Sequence, residues 1–229
     1  MKNKRRVSVA PACPKRGRPP VPLERITACA LELLDSEGIE ALSMRTVAER
    51  IESGTAVLYR RVGNRARLIA LVVDLVFGEI EFDAGKLAAM TWQRASREMA
   101  EATFDVLRRH PHVPSLLVEQ VPVGPNALRL REHGLRILLA AGFSPGDAAR
   151  FHATLARYVV GLAIQAKPGA IGDRDLAKTV RELPPAAFPA TLATAASMPI
   201  PLADEFGFGL DLLIVGAQAR MRSRKRSKR

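Results

Sequence analysis

The chain has 229 residues, of which 48% are hydrophobic and only 5% aromatic, so it is long and apolar enough to build a real core and the balance favours helices over sheets. No apolar run reaches the ~18 residues of a membrane span. No apolar stretch follows the basic N-terminus as a secretory signal would require, and Cys13 and Cys29 show neither metal-ligand nor redox spacing, which reads as free thiols of a cytoplasmic protein. The net charge of +12 sits at the ends: residues 1–20 and 220–229 each hold seven basic residues and no acid, which leaves 21–219 at −2.

Residues 1–20, rich in Lys, Arg and Pro, lack periodicity and read as a disordered basic arm. Arg16 and Arg18 stand just before the first helix, placed either to enter a DNA minor groove or to touch phosphates loosely. Pro22 opens that helix, Leu23, Ile26, Ala30, Leu33 and Leu34 form its apolar stripe, and Gly38 ends it. Next come two short helices joined by a tight turn. Ser43 is placed to cap the first, on which Val47, Ala48 and Ile51 share a face. Glu52-Ser53-Gly54 makes the turn, and Thr55 is placed to cap the second. Leu58 and Val62 pack that second helix back, leaving Thr55, Ala56, Tyr59 and Arg60 outward. Residues 43–67 carry six arginines against Glu49 and Glu52, a local +4. A small-polar, aromatic and arginine face on a basic island suits a major groove and its phosphates; an ordinary helical hairpin with a solvated face has the same periodicity. After Gly63-Asn64 a fourth helix starts at Arg65, with Leu68, Leu71, Val72, Leu75 and Val76 at helical spacing to about Phe82.

Thr27-Ala28 through Gly38, Leu42 to Ala48, and Leu58-Tyr59-Arg60-Arg61-Val62-Gly63-Asn64-Arg65 resemble the DNA-binding domain of TetR family transcriptional regulators, nearest to its tetracycline-repressor branch. The resemblance implies a helix-turn-helix domain over 21–67 that contacts DNA through Ser43, Arg45, Ser53, Gly54, Thr55, Ala56, Tyr59, Arg60, Arg61 and Arg65, with Tyr59 and Arg65 on phosphates. Two positions depart from the family pattern. Glu52 stands where glycine is usual, which strains the turn or places a carboxylate near DNA, and Arg61 replaces a commoner histidine.

The remainder, 68–220, reads as a helical regulatory domain, followed by a basic tail at 221–229. Gly85 marks a break, and a long helix runs from Trp92 to Arg108-Arg109-His110. A short helix follows over Ser115–Gln120, and another over Gly124–Ala141. Ser144-Pro145-Gly146-Asp147 is a strong start signal for a helix to about Ala166. Lys167–Asp173 reads as a loop, Pro184–Met198 as a short Ala-rich helix, and Asp204-Glu205 opens the last helix. Val123 to Leu128, Ala141 to Pro145 and Glu205 to Asp211 resemble the tetracycline-repressor-like C-terminal domain. That resemblance implies a homodimer formed by the helix after Ser144 and the final helix, and a small-molecule effector bound between helices.

No catalytic constellation is present. His110 and His112 flank a proline and read as ending a helix in solvent, His133 and His152 are isolated, and no zinc spacing, nucleophile elbow or phosphate loop occurs. As the resemblance aligns the chain, Leu117 takes the place of a metal-binding histidine and Gln165 that of a glutamate, so no metal or other cofactor is expected. Trp92, Met99, Thr103, Leu117, Gln120, His133, Tyr158 and Gln165 are the candidate lining of an effector pocket, with plain core packing as the competing role for each. The expectation is an all-α, two-domain, dimeric repressor released from a pseudo-palindromic operator by an effector. The alternative is a ligand-independent, nucleoid-type binder driven by its basic tails.

Overall fold

A computed structural model describes residues 21–119, 121–166 and 173–227, and the described residues hold helices and no strand. α1 (Leu23–Glu37) buries Ile26, Ala30, Leu33 and Leu34. Gly38 ends it at φ 84°, its N–H bonding the Leu34 carbonyl at 3.0 Å. A 3-10 turn, Ile39–Ala41, leads to α2 (Met44–Arg50). α3 (Thr55–Val62) and α4 (Arg65–Gly78) follow, the latter capped by Asn64, whose Oδ1 accepts the Arg67 N–H at 2.8 Å.

α4 stops four residues short of the expected Phe82. Phe82 turns away to pack edge-on against His133, ring centroids 5.2 Å apart. Asp83 then caps a helix that hydrophobic spacing did not show, α5 (Ala84–Ala89), accepting the N–H groups of Gly85 and Lys86 at 2.8 and 3.1 Å. Gly85 therefore lies in a first turn rather than at a break.

α6 (Trp92–Arg109), α7 (Val113–Glu119), α8 (Pro125–Ala140) and α9 (Pro145–Gln165) occupy the expected stretches. Ser144 caps α9 as its sequence signal requires, accepting the Asp147 N–H at 3.2 Å. Lys167 to Gly172 of the expected loop lie outside the described residues, and α10 (Asp173–Arg181) begins directly after them. α11 (Pro189–Thr194) and a 3-10 turn, Ala195–Ser197, make up the Ala-rich segment.

The last helix, α12 (Leu202–Ser227), runs on through most of the segment assigned to a separate basic tail. Its basic end has an acid to fold upon. Arg224 donates to Ser144 Oγ at 2.8 Å and to the Asp147 carboxylate, and Arg220 reaches Asp147 at 3.4 Å. The Arg224 and Ser144 hydrogen bonds hold the Asp147 carboxyl down at about 2, an outcome reinforced by Arg220.

One continuous core joins α1–α4 to the regulatory helices, from Ile26 and Leu58 through Val72 and Phe104 to Leu210. α4 packs on α1, α6 and α8 and so belongs to both domains. No described helix is long and apolar enough to cross a membrane.

Candidate nucleic-acid interface

The helix-turn-helix is held together by a small number of specific bonds. Ser43 begins α2 with its Oγ accepting the Thr46 N–H at 3.0 Å, and that same oxygen lies 2.7 Å from the Thr46 hydroxyl. α2 buries Met44, Val47 and Ala48 and leaves Arg45 and Glu49 in solvent, joined by a 2.8 Å ion pair. Ile51 closes the buried face. Glu52 then takes φ 53°, the left-handed turn that the family pattern fills with glycine. The Ser53 N–H returns to the Ala48 carbonyl at 2.9 Å.

The residue that begins α3 is Gly54, with extended backbone and no side-chain cap; Thr55 is the first helical residue. The assignment of Thr55 as the cap is thereby corrected. The displacement frees its hydroxyl and leaves Thr55 fully on the outer surface. Leu58 and Val62 are sealed beneath α3, while Ala56, Tyr59, Arg60 and Arg61 are exposed, Tyr59 by 51%. Gly63 ends the helix at φ 97°, its N–H bonding the Tyr59 carbonyl at 2.8 Å. The result is a two-turn helix that is apolar beneath and polar above.

Electrostatics sort the arginines. Arg45 pairs with Glu49, and Arg50 pairs with Glu37 of α1. Arg60, Arg61 and Arg67 pair with no acid among the described residues, so their charges remain available for phosphates or base edges. Arg65 is an exposed strut: its Nε donates to the Leu42 carbonyl at 2.8 Å, tying the start of α4 to the corner that precedes α2. Its Nη2 also reaches the Ile39 carbonyl at 3.5 Å, so the phosphate role expected from the sequence would fall to Nη1. Arg16 and Arg18 lie outside the described residues.

The proposed effector residues are less convergent. Met99 is buried with Leu87 and Ala95, and Phe82 packs both on that cluster and against His133. Trp92 instead joins Phe143 and Phe151, with centroids 4.9 and 5.7 Å away. Thr103 donates to the Met99 carbonyl at 2.7 Å. Tyr158 donates to the carbonyls of Glu205 and Phe206 at 3.0 and 2.8 Å, which pins α12 onto α9. Leu117 is half-buried on α7, Gln165 is exposed in the last turn of α9, and Gln120 lies outside the described residues. None of them lines the groove of about 610 Å³ between α9 and α12, bordered by Phe143, Phe151, Leu212, Leu213 and Met221.

Two tertiary joints that no local sequence pattern announces tie the DNA-binding domain to the rest. His110 does not end its helix in solvent. Its Nδ1 lies 2.7 Å from the Asp35 carboxylate of α1, and its Nε2 lies 3.1 Å from that of Glu79, just past α4. Burial pushes the Glu79 carboxyl upward, but the bonds and charges of His110 and Arg109 outweigh it and hold the group below its ordinary value. The second joint is Asp74, a carboxylate nine-tenths buried on α4 that accepts the N–H groups of Asn126 and Ala127 at 2.9 and 3.1 Å. The one available signal was an acid inside the apolar run 68–76.

Comparison with known proteins decides the family. The family described as "Tetracyclin repressor-like, C-terminal domain" matches residues 84–221. The chain belongs to the TetR family of DNA-binding transcriptional regulators. It is 29% identical over 225 residues to the HTH-type transcriptional repressor DrrR1 of Streptomyces coeruleorubidus, covering 93% of this chain and 83% of that one. Apo ActR from Streptomyces coelicolor superposes with a TM-score of 0.79 at 29% identity, over 89% of this chain and 97% of that one. ActR in complex with actinorhodin gives 0.76 at 30% identity, over 87% and 98%.

Proposed function

We propose that this TetR family regulator is a repressor that presents α3 to the major groove of a pseudo-palindromic operator and releases it when a small molecule binds the regulatory domain. The observation that carries the reading is the outer face of α3: Thr55, Ala56, Tyr59, Arg60 and Arg61 are all exposed, on a helix whose other face is locked by Leu58 and Val62. Thr55, Ala56 and Arg60 are the candidates for base edges, with Tyr59, Arg61 and Arg67 on the backbone. Two such faces require two subunits, with half-sites ~34–36 Å or a multiple apart. Phe208, Leu212 and Val215 form an exposed apolar stripe on α12, 59–68% accessible, which supports pairing through α9 and α12. The similarity to ActR, whose structure in complex with actinorhodin is known, supports a small organic effector.

The test is binding of the full-length protein to its own gene's upstream region and to scrambled DNA, across a salt series. The wild type is expected to prefer a specific site. Arg60→Ala should weaken that site by ~1–3 kcal/mol and leave scrambled DNA nearly unaffected. Leu212→Glu should yield a monomer in sedimentation that loses the site. If a selection from genomic fragments returns no preferred sequence for the wild type, the operator reading fails and the tail-driven binder replaces it.

A further inference from the structure

We propose that Asp74 and Asn126 are positioning residues that set the seat of α4 on the regulatory domain, and through it the separation at which a dimer presents its two recognition helices. The inference rests on the operator reading above.

The joint is reciprocal. Asp74 lies among Leu68, Ile69, Val72, Val73 and Val76 on the buried side of α4. A carboxylate left alone there would be strongly unfavourable. It is instead directed at the first turn of α8, where Oδ1 accepts two backbone N–H groups, those of Asn126 and Ala127. These belong to the unpaired donors at the start of a helix, where the dipole also favours a negative charge. α8 begins with Gly124 and has no side-chain cap of its own; its cap is supplied by another helix, 52 residues earlier in the chain. In return the Asn126 side chain donates its Nδ2 to the Asp74 carbonyl at 2.8 Å. One contact fixes the end of α8 to a side chain of α4, and the other fixes a side chain of α8 to the backbone of α4.

Two glycines make the approach possible. A Cβ on Gly124 would overlap the Asp74 carboxylate, and one on Gly78 would stand 2.8 Å from Asn126 Nδ2. α4 therefore meets α8 at a close approach set by four residues, Asp74, Gly78, Gly124 and Asn126. Apolar packing alone would let α4 slide or swing, because ridges of Leu and Val accept several nearby seats. α4 also carries α1–α3 through Arg65 and the shared core. A small swing at Asp74 is thus carried to the recognition helix, and in a dimer it changes the distance between the two.

The experiment is a selection from a DNA library in which the wild-type half-sites are separated by spacers of varied length. The full-length wild type, Asp74→Ala and Asp74→Asn are compared at a temperature well below each melting point. The wild type should enrich one spacing. Asp74→Ala removes the acceptor and should spread enrichment over neighbouring spacings, with binding to the original site weakened by tenfold or more. Asp74→Asn keeps an oxygen to accept both N–H groups and should restore the single spacing. A residue with only a structural role would lower the melting temperature and leave the spacing preference unchanged. Retention of the wild-type preference by Asp74→Ala overturns the proposal while the operator reading stands. A wild type that enriches no spaced palindrome overturns both.

Discussion

At the scale of single residues, Glu52 carries the plainest backbone strain. An L-residue at φ 53° sits in the region that only glycine enters freely, at a penalty of ~1–2 kcal/mol. Glu52→Gly removes the penalty at the expense of some unfolded-state entropy. The variant should gain ~1 kcal/mol and melt ~2–4 °C higher; thermal unfolding followed by circular dichroism reads this directly. A lower melting point would show that the Glu52 carboxylate contributes more than its backbone loses. Asp147 is the complementary case, a side chain that gains from folding. Its carboxyl is held at about 2, against an ordinary value of 3.8, first by the Arg224 hydrogen bond and then by Ser144. A depressed carboxylate stabilises the fold above its unfolded value, and that contribution disappears as pH falls through the folded one. Between pH 5 and pH 2, therefore, the wild type should lose more melting temperature than Asp147→Asn, which starts lower and has no such group to titrate. Parallel losses in the two proteins would show that the arginines do not hold Asp147 in solution.

At the scale of elements, what could be read from the sequence and what could not separate along a physical line. Local chemistry was legible: Ser43 and Ser144 cap the helices they precede, Gly38 and Gly63 end helices at positive φ, and the stripe Leu58–Val62 does seal α3. Boundaries set by tertiary partners were not. Gly78 is a local stop signal for α4, but helical spacing continues past it to Phe82, which in the fold leaves the helix and packs against His133. Nothing local says that α12 continues into an arginine-rich end, because the acid it needs is Asp147, 77 residues earlier. The same holds for the effector candidates: apolar residues at helical spacing are equally good core, and Thr103 and Tyr158 use their hydroxyls on backbone carbonyls. Tyr158 gives an element-scale prediction. Its hydroxyl donates to α12 where Gly209 allows the ring to approach, and a Cβ at Gly209 would collide with it. Tyr158→Phe loses the bonds but keeps the packing, which should cost ~1 kcal/mol in denaturant unfolding. Gly209→Ala must part α9 from α12 and should cost more, ~1–3 kcal/mol. The reverse order would mean that α12 is held by the polar bonds and not by the close approach.

At the scale of the whole molecule, the charge distribution poses the sharpest question, because the two basic ends are alike in composition. Residues 1–20 and 220–229 each carry +7. The C-terminal segment is engaged by the fold: Arg220 and Arg224 bind Asp147 at the start of α9. The N-terminal segment leads directly into α1 and hence into the DNA-binding domain, with Arg18 four residues before Pro22. Two deletions should therefore behave differently. Removing residues 1–20 should preserve the preference for the operator over scrambled DNA and flatten the dependence of log K on log salt by ~0.9 for each phosphate the arm neutralises. Removing residues 220–229 strips Asp147 of both α12 partners, so the melting temperature should fall and the difference between pH 5 and pH 2 should shrink toward that of Asp147→Asn. Melting curves and salt-dependent DNA titrations on the two truncated proteins distinguish these outcomes. If instead removal of residues 1–20 abolishes the preference itself, the arm reads sequence and the exposed face of α3 is insufficient alone. If both deletions change only the salt slope, the bonds to Asp147 contribute nothing measurable and the C-terminal segment acts as a second polycationic arm.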